Sequence, residues 1–210
     1  MTLICEASSW LPVLTLTNAA ARLTWPILPR GLALQRAYYP TTYDPIVHVH
    51  ANALLGGGGT TSIVLADLRD PKAILEHPKL RGLIDFTQPV ALLLVAILHF
   101  IKDAENPAGI VATLRDALPE GTYLALSHGT GDFHPPGTEG RAASAYQNAT
   151  APLVLRTLDQ VSAFFDGFDL VEPGLVQAPL WRPDGKPPRP KDLVKIGIYG
   201  GVGHKNRTGT

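Results

Sequence analysis

The chain has 210 residues, which is the length of one ordinary domain, or of one domain with an appendage. Its 18 basic and 18 acidic residues give a formal charge of zero. This balance argues against nucleic acid or an anionic membrane as the main partner, because both attract a basic surface. Apolar residues make up 45% of the chain, which is typical of a protein with a buried core.

Several classes of protein are excluded or disfavoured by single features. Cys5 is the only cysteine, so a disulfide framework and a cysteine-ligated zinc site are excluded. The longest apolar run, residues 90–98, is too short to span a bilayer. No basic residue precedes Arg22, which is untypical of a signal peptide. We therefore expect a cytoplasmic protein that has no membrane partner.

Residues 1–42 show no strong periodicity, because prolines interrupt each candidate element. The apolar residues 10–16 predict a strand within this part of the chain. From Asp44 onward, helix starts are marked by capping residues, three of which precede a proline. These starts are Asp44-Pro45, Asp70-Pro71, Asn106-Pro107, and Thr157 with Gln160 in a capping box.

Strands are predicted between these helices, at residues 62–66, 89–98, 121–127, 170–176 and 193–199. The stretch 89–98 is apolar at every position, which indicates a strand buried on both faces. The alternation of strands with helices predicts an α/β fold whose sheet is mainly parallel and covered on both faces. The last two strands follow each other without a predicted helix, which indicates an antiparallel terminal pair.

Polar side chains follow three of the predicted strands. Asp67 comes directly after the strand that ends at Ala66, His99 after the apolar strand, and His128 after Ser127. Ligands bind beyond the carboxyl ends of strands in open parallel sheets. A carboxylate there can accept a hydrogen bond from an adenine amino group or a ribose, and a histidine can orient a ligand or move a proton. Caps and packing at a strand edge are the structural alternatives for these residues.

Histidine pairs raise the alternative of a metal site. His48 and His50 lie about 200° apart on the predicted helix, so their rings face opposite sides and do not share a metal. His128 and His134 could gather a metal with Asp132, although loop histidines are more often solvated. We expect no metal site, and a histidine metallohydrolase is the least favoured of the functions considered.

Two glycine-rich stretches are weak candidates for phosphate binding. Residues 56–59 are four glycines, but no Lys-Ser or Lys-Thr pair follows them, as it does in a Walker loop. Residues 200–203 read GGVG and come after the last predicted strand, with no helix left to begin there. We expect the first stretch to end a helix and neither stretch to bind phosphate.

Long segments of the chain resemble an actinobacterial family of S-adenosylmethionine-dependent methyltransferases known as DUF574. The segments are ADLRDPKAILEHPKLRGLIDFTQPVALLLVAILHFIKD at residues 66–103, and then RDALPEGTYLALSH, ATAPLVLRTLDQVSAFFDGFDLVEPGLV, WRPDG and GIYGGVGHK. The resemblance extends from about Tyr43 to Lys205. It implies a Rossmann-like methyltransferase domain at residues 43–206, preceded by an atypical segment at residues 1–42. Such a join is what an N-terminal truncation or a frame disruption would produce, leaving the N-terminal part of the fold degenerate.

The resemblance implies S-adenosylmethionine as the cofactor and places part of its site. In this fold an acidic residue after the third strand meets the adenine, and that position corresponds to Asp67, with Leu68 beside it. The end of the fourth strand passes beside the sulfonium, and that position corresponds to Ile97, Leu98 and His99.

Two departures from the family pattern affect the same site. The residue expected to hold the ribose is Thr42 here, and Asp44 is the aspartate of that element that remains. The glycine-rich turn expected after the first strand is absent, and residues 14–19 read LTLTNA. Glycine lets a backbone approach a ligand closely, so side chains at these positions would crowd the methionine end. Loss of a charge-assisted ribose bond would cost about 1.5–3 kcal/mol.

The resemblance therefore implies a methyltransferase that acts on an unknown small-molecule acceptor and whose cofactor binding is weakened. His99 and His128 are the candidates for a catalytic base. The alternative is a non-catalytic remnant or binding module of the same fold. The sequence does not indicate the methyl acceptor or the oligomeric state.

Overall fold

The computed structural model describes residues 2–6, 13–17, 61–135, 153–183, 185–186 and 188–206. In residues 2–6, 13–17 and 61–65 it describes the backbone alone. The predicted helix that begins at Asp44, with His48 and His50, lies outside the described residues, as do the four glycines at 56–59.

The described strands form one eight-stranded sheet in the order β3-β1-β2-β4-β5-β8-β6, with β7 also paired to β8. The strands are β1 (Thr2–Glu6), β2 (Val13–Thr17), β3 (Thr61–Leu65), β4 (Ala91–Val95), β5 (Tyr123–Gly129), β6 (Asp169–Leu170), β7 (Val176–Gln177) and β8 (Ile198–His204).

The direction of the strands confirms the predicted α/β architecture. β2, β4 and β5 are parallel neighbours, and β8 is antiparallel to β5, β6 and β7. β1 is antiparallel to both β2 and β3, so among the described strands only β1 and β8 run against the rest. The sheet is therefore mainly parallel, with an antiparallel terminal ladder. β2, which overlaps the strand predicted at residues 10–16, fills the central place beside β4.

The described helices are α1 (Pro71–Glu76), α2 (Pro78–Arg81), α3 (Pro107–Asp116), α4 (Leu158–Ser162) and α5 (Pro190–Leu193). The predicted capping residues Asp70, Asn106 and Thr157 begin three of the five described helices, and the sequence did not predict the other two, α2 and α5. Asp70 accepts a hydrogen bond from the N–H of Ala73, and Asn106 accepts one from that of Gly109. Each bond satisfies an amide that the first turn of a helix leaves without a partner. No described helix has the length and apolar character needed to cross a membrane.

The C-terminal part corrects two predictions. Residues 170–176 do not form one strand, because a turn at Val171–Gly174 separates β6 from β7. The last strand is not 193–199 but β8 (Ile198–His204), and α5 precedes it. The GGVG stretch thus lies within a strand rather than after it. A Cβ at Gly203 would lie 2.7 Å from Cβ of Phe168, so glycine here permits close packing.

The strand β4 is buried on both faces, as predicted. Leu92 and Leu94 are fully buried in the larger core cluster with the helices α1 and α3, whereas Leu93 faces a smaller cluster that includes Trp181 on the other side of the sheet. Full burial of a leucine side chain contributes about 1.5–3 kcal/mol. The strand whose end carries His99 is therefore a rigid support.

Candidate functional site

A single row of paired residues marks the carboxyl edge of the sheet. Leu65 pairs with Thr2, Thr2 with Thr17, Thr17 with Val95, and Val95 with Ser127. Asp67 and Leu68 follow the β3 end of this row, and residues 97–99 follow its β4 end. His128 is the next residue after Ser127 and lies inside β5, not beyond it as predicted. The structure thus brings the predicted site residues that it describes to one edge.

The segments that follow β3 and β4 are joined by an ion pair. Nε of Arg69 lies 2.6 Å from Oε1 of Glu105. Arg69 also binds the carboxylate of Asp67, which accepts the Arg69 backbone N–H at 3.0 Å and its Nη1 at 3.2 Å. Three strand spacings, about 14 Å, separate β3 from β4. The ion pair therefore draws together two segments that the sheet itself holds apart.

The carboxylate of Glu105 is tied to the β4 side of this bridge. Its Oε2 accepts the backbone N–H of Lys102 at 2.7 Å. That bond and the bond from Arg69 hold the pKa of Glu105 below its usual value. At neutral pH the carboxylate of Glu105 is therefore ionised and can pair with Arg69.

The chain turns sharply where β4 ends. Ala96 has a positive φ of 52° and donates its N–H to Oγ of the buried Ser127 at 2.9 Å. A left-handed conformation is unfavourable for alanine by about 1–2 kcal/mol. Ile97 and Leu98 then pack into the core, and His99 lies in a 3-10 turn, Leu98–Phe100. The strained turn delivers His99 to the carboxyl edge.

Arg156 is the centre of the polar contacts behind this turn. Its guanidinium is 4% exposed and all five of its N–H donors have acceptors. Nη1 donates to the carbonyl of Leu98 at 3.1 Å and to Nε2 of His128 at 2.8 Å. Nη2 donates to the carbonyl of Ile101 at 2.9 Å and to Oδ1 of Asp103 at 2.5 Å, and Nε donates to the same oxygen. Arg156 therefore holds the segment 98–103 in place.

His128 uses both of its ring nitrogens in this network. A guanidinium can only donate, so Nε2 of His128 accepts from Arg156 and the ring proton lies on Nδ1. Nδ1 in turn donates to the carbonyl of Gly129 at 2.7 Å. Burial lowers the pKa of His128 to about 4, and the charge of Arg156 acts in the same direction. With no free lone pair, the ring is arranged to hold the turn rather than to accept a proton.

Within the residues that the structure describes, the ring of His99 makes one hydrogen bond. The backbone N–H of Gly129 donates to Nδ1 of His99 at 3.3 Å. The His99 ring lies edge-on to the His128 ring, with their centroids 5.6 Å apart. Burial lowers the pKa of His99 to about 3, and His128 and Arg156 add to that shift. At neutral pH His99 is therefore uncharged.

The loop after β5 is tied to the rest of the domain through Asp132. Its Oδ2 accepts from the hydroxyl of Tyr199 at 2.8 Å and from the N–H of Leu158 at 2.9 Å. Burial and the bond to Asp132 raise the pKa of Tyr199 to about 12. The described residues contain no group of three histidine, cysteine or acidic side chains that could hold a metal. Asp132 is engaged in positioning α4, and His128 is engaged by Arg156.

Sequence reasoning singled out both histidines and missed Arg156. The signal that was present is a charged residue at the end of the apolar stretch Ala-Pro-Leu-Val-Leu, residues 151–155. Its role depends on contacts that span 28 to 58 positions of the chain. Such contacts cannot be predicted from local spacing. Asp44, the remaining predicted site residue, lies outside the described residues.

The groups at this edge fit the adenosine end of the predicted cofactor. Asp67 offers a carboxylate that is a third exposed, and its Oδ2 has only a long contact of 3.4 Å with Arg69. The backbone N–H of Leu68 makes no hydrogen bond within the described part of the chain. β1 is antiparallel to β3, so its last residue, Glu6, pairs with Thr61 at the opposite edge of the sheet and not beside Asp67. Of the turn expected around the methionine end, residues 14–17 lie in β2, and residues 18 and 19 lie outside the described ranges.

Comparisons with known proteins agree with this description. A family profile described as S-adenosyl methyltransferase matches residues 35–206. A DUF574 family protein from Streptomyces avermitilis is 44% identical over 68% of this chain and 54% of its own, with a TM-score of 0.64. The structure of a candidate methyltransferase from Thermobifida fusca is 36% identical over 78% of this chain and 60% of its own, with a TM-score of 0.69. The chain thus spans a little over half of either relative. No curated protein matches it.

Proposed function

Because the chain belongs to the S-adenosyl methyltransferase family, we propose that it transfers a methyl group from S-adenosylmethionine to a small-molecule acceptor. The observation that carries the proposal is that Asp67 and His99 follow strands whose carboxyl ends lie at one edge of the sheet, with the Arg69–Glu105 ion pair between their segments. Both residues follow strands whose carboxyl ends face the same side, where open α/β sheets bind their ligands.

Asp67 and Leu68 hold the adenine in this proposal. The carboxylate of Asp67 accepts a hydrogen bond from the exocyclic amino group, and the N–H of Leu68 donates to a ring nitrogen. Arg69 fixes the Asp67 carboxylate through two contacts, so little conformational freedom is lost when the ligand binds. Asp44 remains the proposed partner of the ribose.

Ile97, Leu98 and His99 form the wall beside the reacting groups. When bound, S-adenosylmethionine supplies an electrophilic methyl carbon, to which the lone pair of the acceptor forms a bond while the carbon–sulfur pair stays on sulfur. The contribution of the chain is to align the acceptor and to exclude water, which is the main source of rate enhancement in such transfers. The buried turn that Arg156 holds is suited to that task because its backbone has few alternative positions.

A calorimetric titration with S-adenosylmethionine tests the proposal. We expect binding by the unmodified chain and a roughly tenfold weaker affinity for Asp67→Asn, since a hydrogen bond to a charged group contributes about 1.5–3 kcal/mol. Asp116→Asn is the matched control, because that carboxylate lies at the end of α3 and pairs with Arg115. Absence of heat at millimolar cofactor, from a chain that unfolds cooperatively, would exclude the enzyme function.

A second candidate is a protein of this fold without transfer activity. The reversed direction of β1 favours it, because the strand beside β3 then brings no carboxyl end to the site. The sequence after Thr17 continues with Asn18 and Ala19, with no glycine. This candidate predicts a stable protein that binds neither S-adenosylmethionine nor its demethylated product, and the same titration distinguishes the two candidates.

A further inference from the structure

We propose that His99 recognises its ligand as a fixed hydrogen-bond donor through Nε2–H, and that the group it recognises is an oxygen with a free lone pair, such as a carboxylate or phenolate. The inference adds a recognition role to the proposed function, and the part of it that concerns the ligand rests on that function. It gives His99 a recognition role in place of the role of a base.

The position of the ring proton follows from the partner of the other nitrogen. A backbone amide can only donate, so Nδ1 of His99 is the acceptor of the Gly129 N–H and the proton of the neutral ring lies on Nε2. Within the described part of the chain, Nε2 has no hydrogen-bond partner. A donor is therefore left available on a ring that is more than nine-tenths buried.

The backbone on both sides of this bond is held in place. Gly129 pairs with Ile198 in β8, and the carbonyl of Gly129 accepts the backbone N–H of Arg156 at 3.2 Å. The carbonyl of His99 accepts the N–H of Val154 at 2.7 Å. A Cβ at Gly129 would lie 3.2 Å from Leu155, so the site is also tightly packed. Rotation of the His99 ring would break the bond to Gly129.

The charges around His99 oppose proton uptake. The groups that act on its ring are the neutral His128 and the guanidinium of Arg156, which is a cation. Asp103 forms an ion pair with the guanidinium of Arg156 at 2.5 Å. A second positive charge on His99 would lie in a buried site beside Arg156, which is unfavourable. The arrangement therefore keeps His99 neutral and donating.

A fixed donor selects ligands by their protonation. A group that still carries its proton offers Nε2–H a weaker acceptor, and His99 has no free lone pair to remove that proton. An anionic oxygen accepts the bond and gains from charge assistance. Such an oxygen could belong to the methyl acceptor or to the carboxylate of the cofactor, and the two sources are separable by experiment.

The tautomers are measured directly by NMR of the unmodified protein with ¹⁵N-labelled imidazoles. The proposal predicts that His99 carries its proton on Nε2 and His128 carries its proton on Nδ1, at about pH 7. Opposite tautomers in one protein are a signature that a general loss of structure would not produce. A His99 ring protonated on Nδ1, or one that exchanges rapidly between tautomers, would overturn the proposal.

The ligand arm follows the His99 Nε2–H signal during two titrations, one with S-adenosylhomocysteine and one with benzoate. A downfield shift with the first assigns the bond to the cofactor carboxylate, and a shift with benzoate assigns it to the acceptor. If S-adenosylhomocysteine shifts the amides of Asp67 and Leu68 while neither compound moves the His99 signal, the recognition role is wrong and the proposed function stands. If benzoate moves the His99 signal and S-adenosylhomocysteine does not bind, the recognition role of His99 stands and the proposed function is wrong.

Two variants separate donation from packing. His99→Gln keeps an N–H donor in nearly the same place and is expected to retain most of the affinity for the compound that shifts the signal. His99→Leu keeps the apolar volume without the donor and is expected to lose about tenfold, the effect of one hydrogen bond to a charged group. Thermal unfolding of both variants confirms that they are folded. Equal losses in the two variants would contradict the donor role.

Discussion

Arg156 donates through Nη1 to Nε2 of His128 over 2.8 Å, and this buried bond fixes the tautomer of the histidine, with its proton on Nδ1. The same guanidinium binds the carbonyls of Leu98 and Ile101. One side chain thus couples the ring inside β5 to the segment that carries His99. The predictions below test this coupling and the packing that supports it.

Replacement of Arg156 by leucine should destabilise the fold by about 3–5 kcal/mol. The loss leaves two buried carbonyls and a buried ring nitrogen without donors, and unpaired buried polar groups are unfavourable. Urea unfolding measures the effect. The control is Arg69→Leu, which removes the surface pair with Glu105 and should cost less than about 1 kcal/mol. Similar losses in the two variants would contradict the central place of Arg156.

The two buried histidines should make the protein less stable in acid. The unfolded chain takes up a proton on each ring as the pH falls below the usual pKa of 6.5, whereas the folded chain does so near 4 for His128 and near 3 for His99. The stabilisation that the two neutral rings give the folded state is therefore complete above about pH 6.5. As the pH falls from 6.5 to the folded pKa of each ring, the free energy of unfolding decreases by about 1.4 kcal/mol per pH unit for that ring. Arg156 and Asp103 are the ionisable groups that act on the pKa of His128, the first lowering it and the second raising it.

The variant His128→Gln isolates one of these contributions. Its amide oxygen can accept from Arg156 and does not titrate in this range. Between about pH 6 and 4.5 the free energy of unfolding of the variant should fall less steeply than that of the unmodified protein, by about 1.4 kcal/mol per pH unit. Urea unfolding at a series of pH values gives both slopes, and parallel slopes would show that His128 is charged in the folded state.

Ala96→Gly should leave the protein at least as stable as before, with a gain of up to about 1 kcal/mol. Ala96 has a φ of 52°, which glycine adopts without the clash of a Cβ. The matched control is Ala91→Gly, a buried position in the regular part of β4, where the same change should be destabilising. Thermal unfolding of the two variants should give shifts of opposite sign. A loss at Ala96 equal to that at Ala91 would argue against strain at the end of β4.

Gly203→Ala should destabilise the fold by about 1–3 kcal/mol. The added Cβ would lie 2.7 Å from Cβ of Phe168 and 3.0 Å from Phe165, and overpacking of this kind forces the core to shift. Gly185→Ala is the control, since nothing lies within 4 Å of its added Cβ. If the two changes have equal effects on urea unfolding, β8 does not pack as closely as described.

The parts of the fold that sequence reasoning predicted are those that depend on local chemistry. Asp70-Pro71 and Asn106-Pro107 begin helices because a capping side chain and a proline act within one turn. The burial of β4 on both faces followed from its uninterrupted apolar run. In these cases the residues that form the sequence pattern are also the residues whose interactions form the element.

Predictions failed where long-range packing decides the structure. The stretch GGVG has little strand propensity, yet it forms the middle of β8. Phe165 and Phe168 pack directly against its glycines, at a distance that leaves no room for a Cβ at Gly203. The predicted strand at 170–176 took no account of the turn that Pro173 and Gly174 impose. At the candidate site, Asp67 and His99 were placed by strand order, whereas Arg156 acts through contacts more than fifty positions away. The domain boundary at residue 43 and the role of Asp44 stay predictions.

The most direct test of the site follows backbone amide signals by NMR while S-adenosylhomocysteine is added. The proposed function predicts that the amides of Asp67, Leu68 and His99 shift together and saturate at one ligand concentration, because one bound ligand would contact both strand ends. The amides of β8 near Gly203, which lie toward the other edge of the sheet, should stay unmoved. Shifts confined to one of the two strand ends, or independent saturation at the two, would show that Asp67 and His99 do not share a ligand.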